Sequence, residues 1–124
     1  MARLKNKQNK MNKIKSWKTL DSINQLEEIK ETSNTKTQIL FKHSVTCGIS
    51  GHAEFKLESD WNFENENFDF YYLDLLANRA VSNEIASMFQ VTHQSPQILI
   101  IKNGKATAHF SHQAISVDRI KQAL

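Results

Sequence analysis

One residue type capable of nucleophilic redox chemistry occurs once in this chain, as Cys47 within the stretch FKHSVTCGIS at 41–50. Ile39, Leu40 and Phe41 before it read as the end of a buried strand, and Gly48 to Glu54 after it lead into a helix. A cysteine at a helix start faces unpaired N–H groups and the positive end of the helix dipole, which stabilise a thiolate and lower its pKa. The alternative is a small buried hydrophobe with no reactivity. A metal site combining Cys47 with His43, His52 or His93 matches no standard ligand spacing, so no metal is expected.

The elements that must position Cys47 are read from caps and periodicity. Leu20, Ile23, Leu26 and Ile29 recur on one helical stripe, and Ser22 with Gln25 forms a capping box that puts the helix start near Ser22. Thr37 to Lys42 is a strand, and after Cys47 a helix carries Ala53, Phe55 and Leu57 toward Trp61. Phe68 to Leu76 is a nearly continuous apolar run, as expected of an interior strand covered on both faces. Ser82 as N-cap and Glu84 in the first turn open a third helix with Ile85, Ala86, Met88 and Phe89 on its buried face. Gln97 to Lys102 is a further buried strand, and Asn103-Gly104 turns the chain back antiparallel through Lys105 to Phe110. Ile115 and Ile120 staple a last helix capped by Ser116.

Length, charge and cysteine count bound the rest. A chain of 124 residues without repeats fits one domain. Residues 1–16 carry six of the sixteen basic residues and no acid, which leaves ten basic against thirteen acidic residues, a net of −3, for 17–124. The expected organisation is a basic flexible tail over 1–16 and a folded domain over 17–124. The tail has no aromatic residue to stack on a base, so nucleic acid is not an expected partner. No apolar run approaches the roughly 20 residues of a membrane span. The basic start lacks the apolar centre of a secretory signal, and a lone thiol suits a reducing compartment, so a cytoplasmic location is expected.

Taken together, the order helix, strand, helix, strand, helix, strand, strand, helix resembles the thioredoxin fold. That implies an α/β domain with a central mixed four-stranded sheet flanked by helices. Helical crossovers make the first two strands parallel, and the hairpin makes the last two antiparallel. In this superfamily a cis proline sits beside the active cysteine, and Pro96, the only proline, matches that place. Three stretches, FKHSVTCGIS at 41–50, VSNEIASMF at 81–89 and VTHQSPQILII at 91–101, resemble the YtxJ family of monothiol bacilliredoxins. One departure stands at the centre, where Gly48 occupies a position that the family commonly fills with proline.

The resemblance implies thiol–disulfide exchange, with bacillithiol as co-substrate, S-bacillithiolated client proteins as partners and no tightly bound cofactor. Cys47 is the implied catalytic residue, and Ser50 stands where a second cysteine would complete a C-x-x-C pair, so another thiol must finish the cycle. Thr46 is read as a cap, Gly48 as a loosened helix start, and Ser50 as a hydrogen-bond donor to the thiolate on the same helical face. Ser95 and Pro96 would hold an extended substrate segment, while His43 and His93 tune the thiolate or hold the carboxylates of bacillithiol. Lowering a thiol pKa from about 8.5 to about 6.5 raises its ionised share at pH 7 roughly 25-fold but costs about 6- to 10-fold in nucleophilicity. The net gain in attack is then only about threefold, so a helix start improves a leaving thiolate as much as an attacking one. Two other readings stay open: a redox-silent thioredoxin-like adaptor, and an iron–sulfur carrier like the CGFS glutaredoxins, which Gly48 fits and the SPQ sequence around Pro96 does not.

Overall fold

Local capping signals open two of the helices where the residues place them. Ser22 caps the first helix, α1 (Ile23–Thr32), through the reciprocal Ser22–Gln25 box, and the Ser116 side chain accepts from the Arg119 N–H at the start of the last, α4 (Val117–Ala123). A computed structural model describes residues 14–44 and 48–124, with only the backbone of Ile49. Val45, Thr46 and Cys47, like most of the basic tail, lie outside the described residues.

Between these helices run β1 (Trp17–Thr19), β2 (Thr37–His43), α2 (Gly48–Asp60), β3 (Phe68–Asp74), α3 (Arg79–Phe89), β4 (Gln97–Lys102) and β5 (Lys105–Ser111). A 3₁₀ turn, His112–Ala114, follows β5. The sheet order is β1-β3-β2-β4-β5, with β1, β3 and β2 parallel and β4 and β5 each antiparallel to the preceding neighbour. The sheet therefore has five strands where four were expected. The extra strand, β1, is three residues long and exists by pairing Trp17 with Phe70 across 53 positions of sequence, a register that no local pattern announces.

Alternation along the strands divides the core between the two faces of the sheet. Ile39, Phe41, Phe70 and Tyr72 pack with Ala53 and Leu57 of α2 and with Val117 and Ile120 of α4. Leu40, Leu73, Leu99 and Ile101 pack on the other face with Leu26 and Ile29 of α1 and with Val81, Ile85 and Phe89 of α3. Trp17 stacks on Phe70 at 4.6 Å between ring centres and meets Trp61 edge-on at 5.4 Å, which closes the β1 side of the first face. Ile14, the first described residue, packs against the same cluster.

Three sequence expectations change in the folded chain. Phe55 is 64% exposed, because a residue two positions from both Ala53 and Leu57 lies on the opposite side of α2. Ile23 is also exposed, since Leu20, the first residue of its stripe, belongs to the link after β1 and donates its N–H to Tyr72. Ser82 is not an N-cap: α3 begins at Arg79 after Asn78, and Ser82 is buried one turn inside. Glu84 accordingly lies beyond the first turn. The Asn103-Gly104 hairpin is as expected, with both residues left-handed at φ 51° and 76°, as a type I′ turn requires.

Candidate functional site

The C-terminal end of β2, the N-terminus of α2 and the start of β4 meet at one edge of the sheet. Antiparallel pairing of Lys42 with Gln97 sets Pro96 beside the end of β2, and the Ser95–Pro96 peptide bond is cis. Gly48 is the first residue of α2, so the segment holding Cys47 connects two described ends of this site. Ser44 donates its N–H to the Ser50 hydroxyl at 3.3 Å, which ties strand end to helix start across that segment. A Cβ added at Gly48 would meet nothing within 4 Å, so the fold does not demand glycine there.

His43 and Lys42 are consecutive and face opposite sides of the sheet. His43 is buried on the α2 side, with Nδ1 2.8 Å from the Tyr72 hydroxyl and Nε2 3.1 Å from Glu54 Oε1. The second approach is at ion-pair distance but off the line of a hydrogen bond. Burial, and then the charge of Glu54, push the Tyr72 hydroxyl well above its ordinary value. It therefore stays protonated and can donate to Nδ1, which turns the proton-bearing Nε2 toward Glu54. With 2% exposure, Nδ1 hydrogen-bonded to Tyr72 and Nε2 facing Glu54, His43 is not placed as a surface ligand.

On the α3 side, Lys42 is fully buried, with Nζ donating to the Ser82 carbonyl at 3.3 Å and lying 3.3 Å from His93 Nδ1. Burial lowers its pKa from 10.5 to about 8. His93 is exposed, and its pKa is also lowered, first by desolvation and then by the charges of Lys42 and Arg79. The segment between His93 and Pro96 is braced by Gln97, whose buried side chain donates to the Thr92 carbonyl at 3.1 Å and accepts from the Gln94 N–H at 3.4 Å. The Pro96 carbonyl accepts from the His112 N–H at 3.1 Å, with His112 left-handed at φ 55°. The Ser95 hydroxyl is buried and has no hydrogen-bond partner among the described residues.

Of the expected site residues, Gly48, Ser50, His43, His93, Ser95 and Pro96 gather at this edge, while Thr46 and Cys47 lie outside the described residues. Sequence reasoning passed over Lys42 and Gln97. A signal existed for the first: Lys42 shares its strand face with Leu40, so alternation alone turns a lysine into the interior. A cavity of about 230 Å³ opens beside Gly48. Its walls are Gly48, His52 and Lys56, one turn apart on α2, and His112 across from them, over a floor of Ala53 and Ile115.

Comparison with known proteins agrees with the fold. A solved structure of thioredoxin fold, described as a candidate oxidoreductase, is similar at 32% identity and a TM-score of 0.74, over 87% of this chain and 93% of that one. Thioredoxin from Fasciola hepatica is similar at 20% identity and a TM-score of 0.63, over 85% and 93% of the two chains. Thioredoxin from Trypanosoma brucei brucei is similar at 23% identity and 0.64, over 85% and 84%. Both thioredoxins speak to the fold alone. Residues 18–120 match the family model of the monothiol bacilliredoxin BrxC, and the chain therefore belongs to the monothiol bacilliredoxin family, within the thioredoxin-like oxidoreductases.

Proposed function

We propose that the protein removes bacillithiol from mixed disulfides of client proteins, with Cys47 as nucleophile. The supporting observation is that the start of α2 at Gly48 and the cis Ser95–Pro96 bond meet at one end of the sheet. In the proposed reaction the Cys47 thiolate attacks the bacillithiol sulfur, a new S–S bond forms, and the client cysteine leaves as a thiolate. A second thiolate then attacks the bacillithiol sulfur, forms a new disulfide with it and frees Cys47 as thiolate, a step that needs an outside thiol because position 50 holds serine. The helix start stabilises negative charge on Cys47 as attacker and as leaving group.

The rest of the site suits an extended disulfide substrate. In the proposed complex the Ser95 backbone offers hydrogen bonds to the client segment. The cavity beside Gly48 takes the sugar-malate part of bacillithiol, with Lys56 supplying positive charge for its carboxylates. Intact-mass measurement after incubation with oxidised bacillithiol tests the reading: the wild type gains one bacillithiol, and Cys47→Ala gains none. An unmodified wild-type mass under conditions that label a free reactive thiol would favour a redox-silent adaptor.

A further inference from the structure

The least expected group at this end of the sheet is Lys42, fully buried and without a carboxylate within ion-pair distance among the described residues. Burying an unpaired ammonium is costly, and among the described residues its polar contacts are one carbonyl, that of Ser82, and one imidazole nitrogen, Nδ1 of His93. An ammonium has donors and no lone pair. His93 Nδ1 must therefore carry the lone pair, and the ring proton of a neutral imidazole must sit on Nε2. The depressed pKa of His93 keeps the ring neutral at pH 7, and the Ser82 hydroxyl, 3.4 Å from the same Nδ1, adds a second restraint on the ring.

We propose that Lys42 is a positioning residue: from beneath the loop it locks the His93 ring in the Nε2–H tautomer, so that His93 offers one oriented donor to an acceptor group of the mixed disulfide bound along Ser95–Pro96. This deepens the function proposed above and rests on it for the identity of the ligand. The lock requires the ammonium. Once Lys42 loses its proton, the amine gains a lone pair and can accept from Nδ1–H, and the two tautomers of His93 become comparable. Lys42 is packed by Ser82 of α3 and by His93, with Leu73 and Gln97 opposite it on β3 and β4, and Arg79 of α3 adds positive charge at His93. Of these, His93 carries the titratable ring, its pKa lowered first by burial and then by the charges of Lys42 and Arg79.

The test is a ring ¹⁵N–¹H correlation spectrum of His93 in the full chain, read together with steady-state exchange on a bacillithiolated peptide. In the wild type at pH 7 the spectrum shows Nδ1 bare and Nε2 protonated, and the tautomers mix as pH rises through about 8, where Lys42 deprotonates. Lys42→Met mixes them already at pH 7 and raises the His93 pKa. It also raises KM roughly fivefold, the effect of one hydrogen bond, with kcat nearly unchanged. Lys42→Gln, which restores a donor, recovers part of both effects. His93→Ala raises KM by the same factor, and the double variant is no worse than either single one. A wild-type tautomer that ignores pH and survives Lys42→Met overturns the proposal, as does a mixed tautomer that leaves KM unmoved. The wild-type pH series decides the lock even if Lys42→Met does not fold. If Cys47 forms no disulfide with bacillithiol, it is the functional reading that fails, and the spectra still decide the lock.

Discussion

The two ends of β2 handle buried polarity in opposite ways. At its N-terminal end Gln38, fully buried, donates to Asp69 at 2.8 Å, and Lys18 and Lys36 each stand 3.1 Å from the same carboxylate. Burial works against the Asp69 charge, yet the hydrogen bonds from Gln38, Lys18 and Lys36 outweigh it and hold the carboxyl below its ordinary value. At the C-terminal end Lys42 occupies the same sheet face with no acid among the described residues to neutralise it. One end is matched for stability. The other bears an unmatched charge beside the cis proline and the start of α2, where rules of good packing give way to function.

The sharpest way to break this comparison is Lys42→Met. The folded pKa of Lys42, about 8, lies below its unfolded value of 10.5, so protonation favours the unfolded chain. The penalty is full below pH 8, shrinks between pH 8 and 10.5, and vanishes above. Lys42→Met is thus expected to be more stable than the wild type by about 3 kcal/mol at pH 7, with the advantage fading toward pH 10.5. Urea unfolding at a series of pH values measures this. A variant less stable than the wild type at pH 7 would mean that the ammonium is compensated after all.

Asp69→Asn probes the matched end with the opposite sign. The Asp69 pKa is depressed in the folded state, so its contribution is present above the unfolded value of 3.8 and is lost as pH falls through the folded one. The variant should lose about 1–2 kcal/mol at neutral pH and match the wild type in strong acid. Thermal melts at pH 7 and pH 2 check both halves.

Next in size is Tyr72→Phe, which removes the hydroxyl from His43 Nδ1 and should cost about 1 kcal/mol. The same change frees the His43 tautomer, visible in its ring ¹⁵N shifts. Smallest is Gly48→Pro. At the first helical position proline loses no intrahelical N–H bond and its Cβ would meet nothing within 4 Å, so the fold should gain roughly 0.4–1 kcal/mol. Exchange kinetics of that variant show whether the looser glycine start serves the thiol chemistry.

Much of the fold was legible because the signals are local. The Ser22–Gln25 box, the Asn103-Gly104 turn, the Ser116 cap and the apolar run of β4 each specify their structure within a few residues. The expectation at Ser82 went astray for the same reason: a serine before an acid reads as a cap, whereas its carbonyl and hydroxyl are turned to Lys42 and His93.

Sequence by itself determined the α/β class and the strand–helix junction that spans Cys47, since periodicity, caps and chain order carry that information, and the resemblance to the thioredoxin fold implied the place of Pro96. Tertiary structure alone decided the fifth strand, the burial of His43 against Tyr72 and Glu54, and the meeting of Lys42 with His93 across 51 positions. These depend on sheet register and on which face of a strand each helix covers, quantities set by packing between segments far apart in the chain.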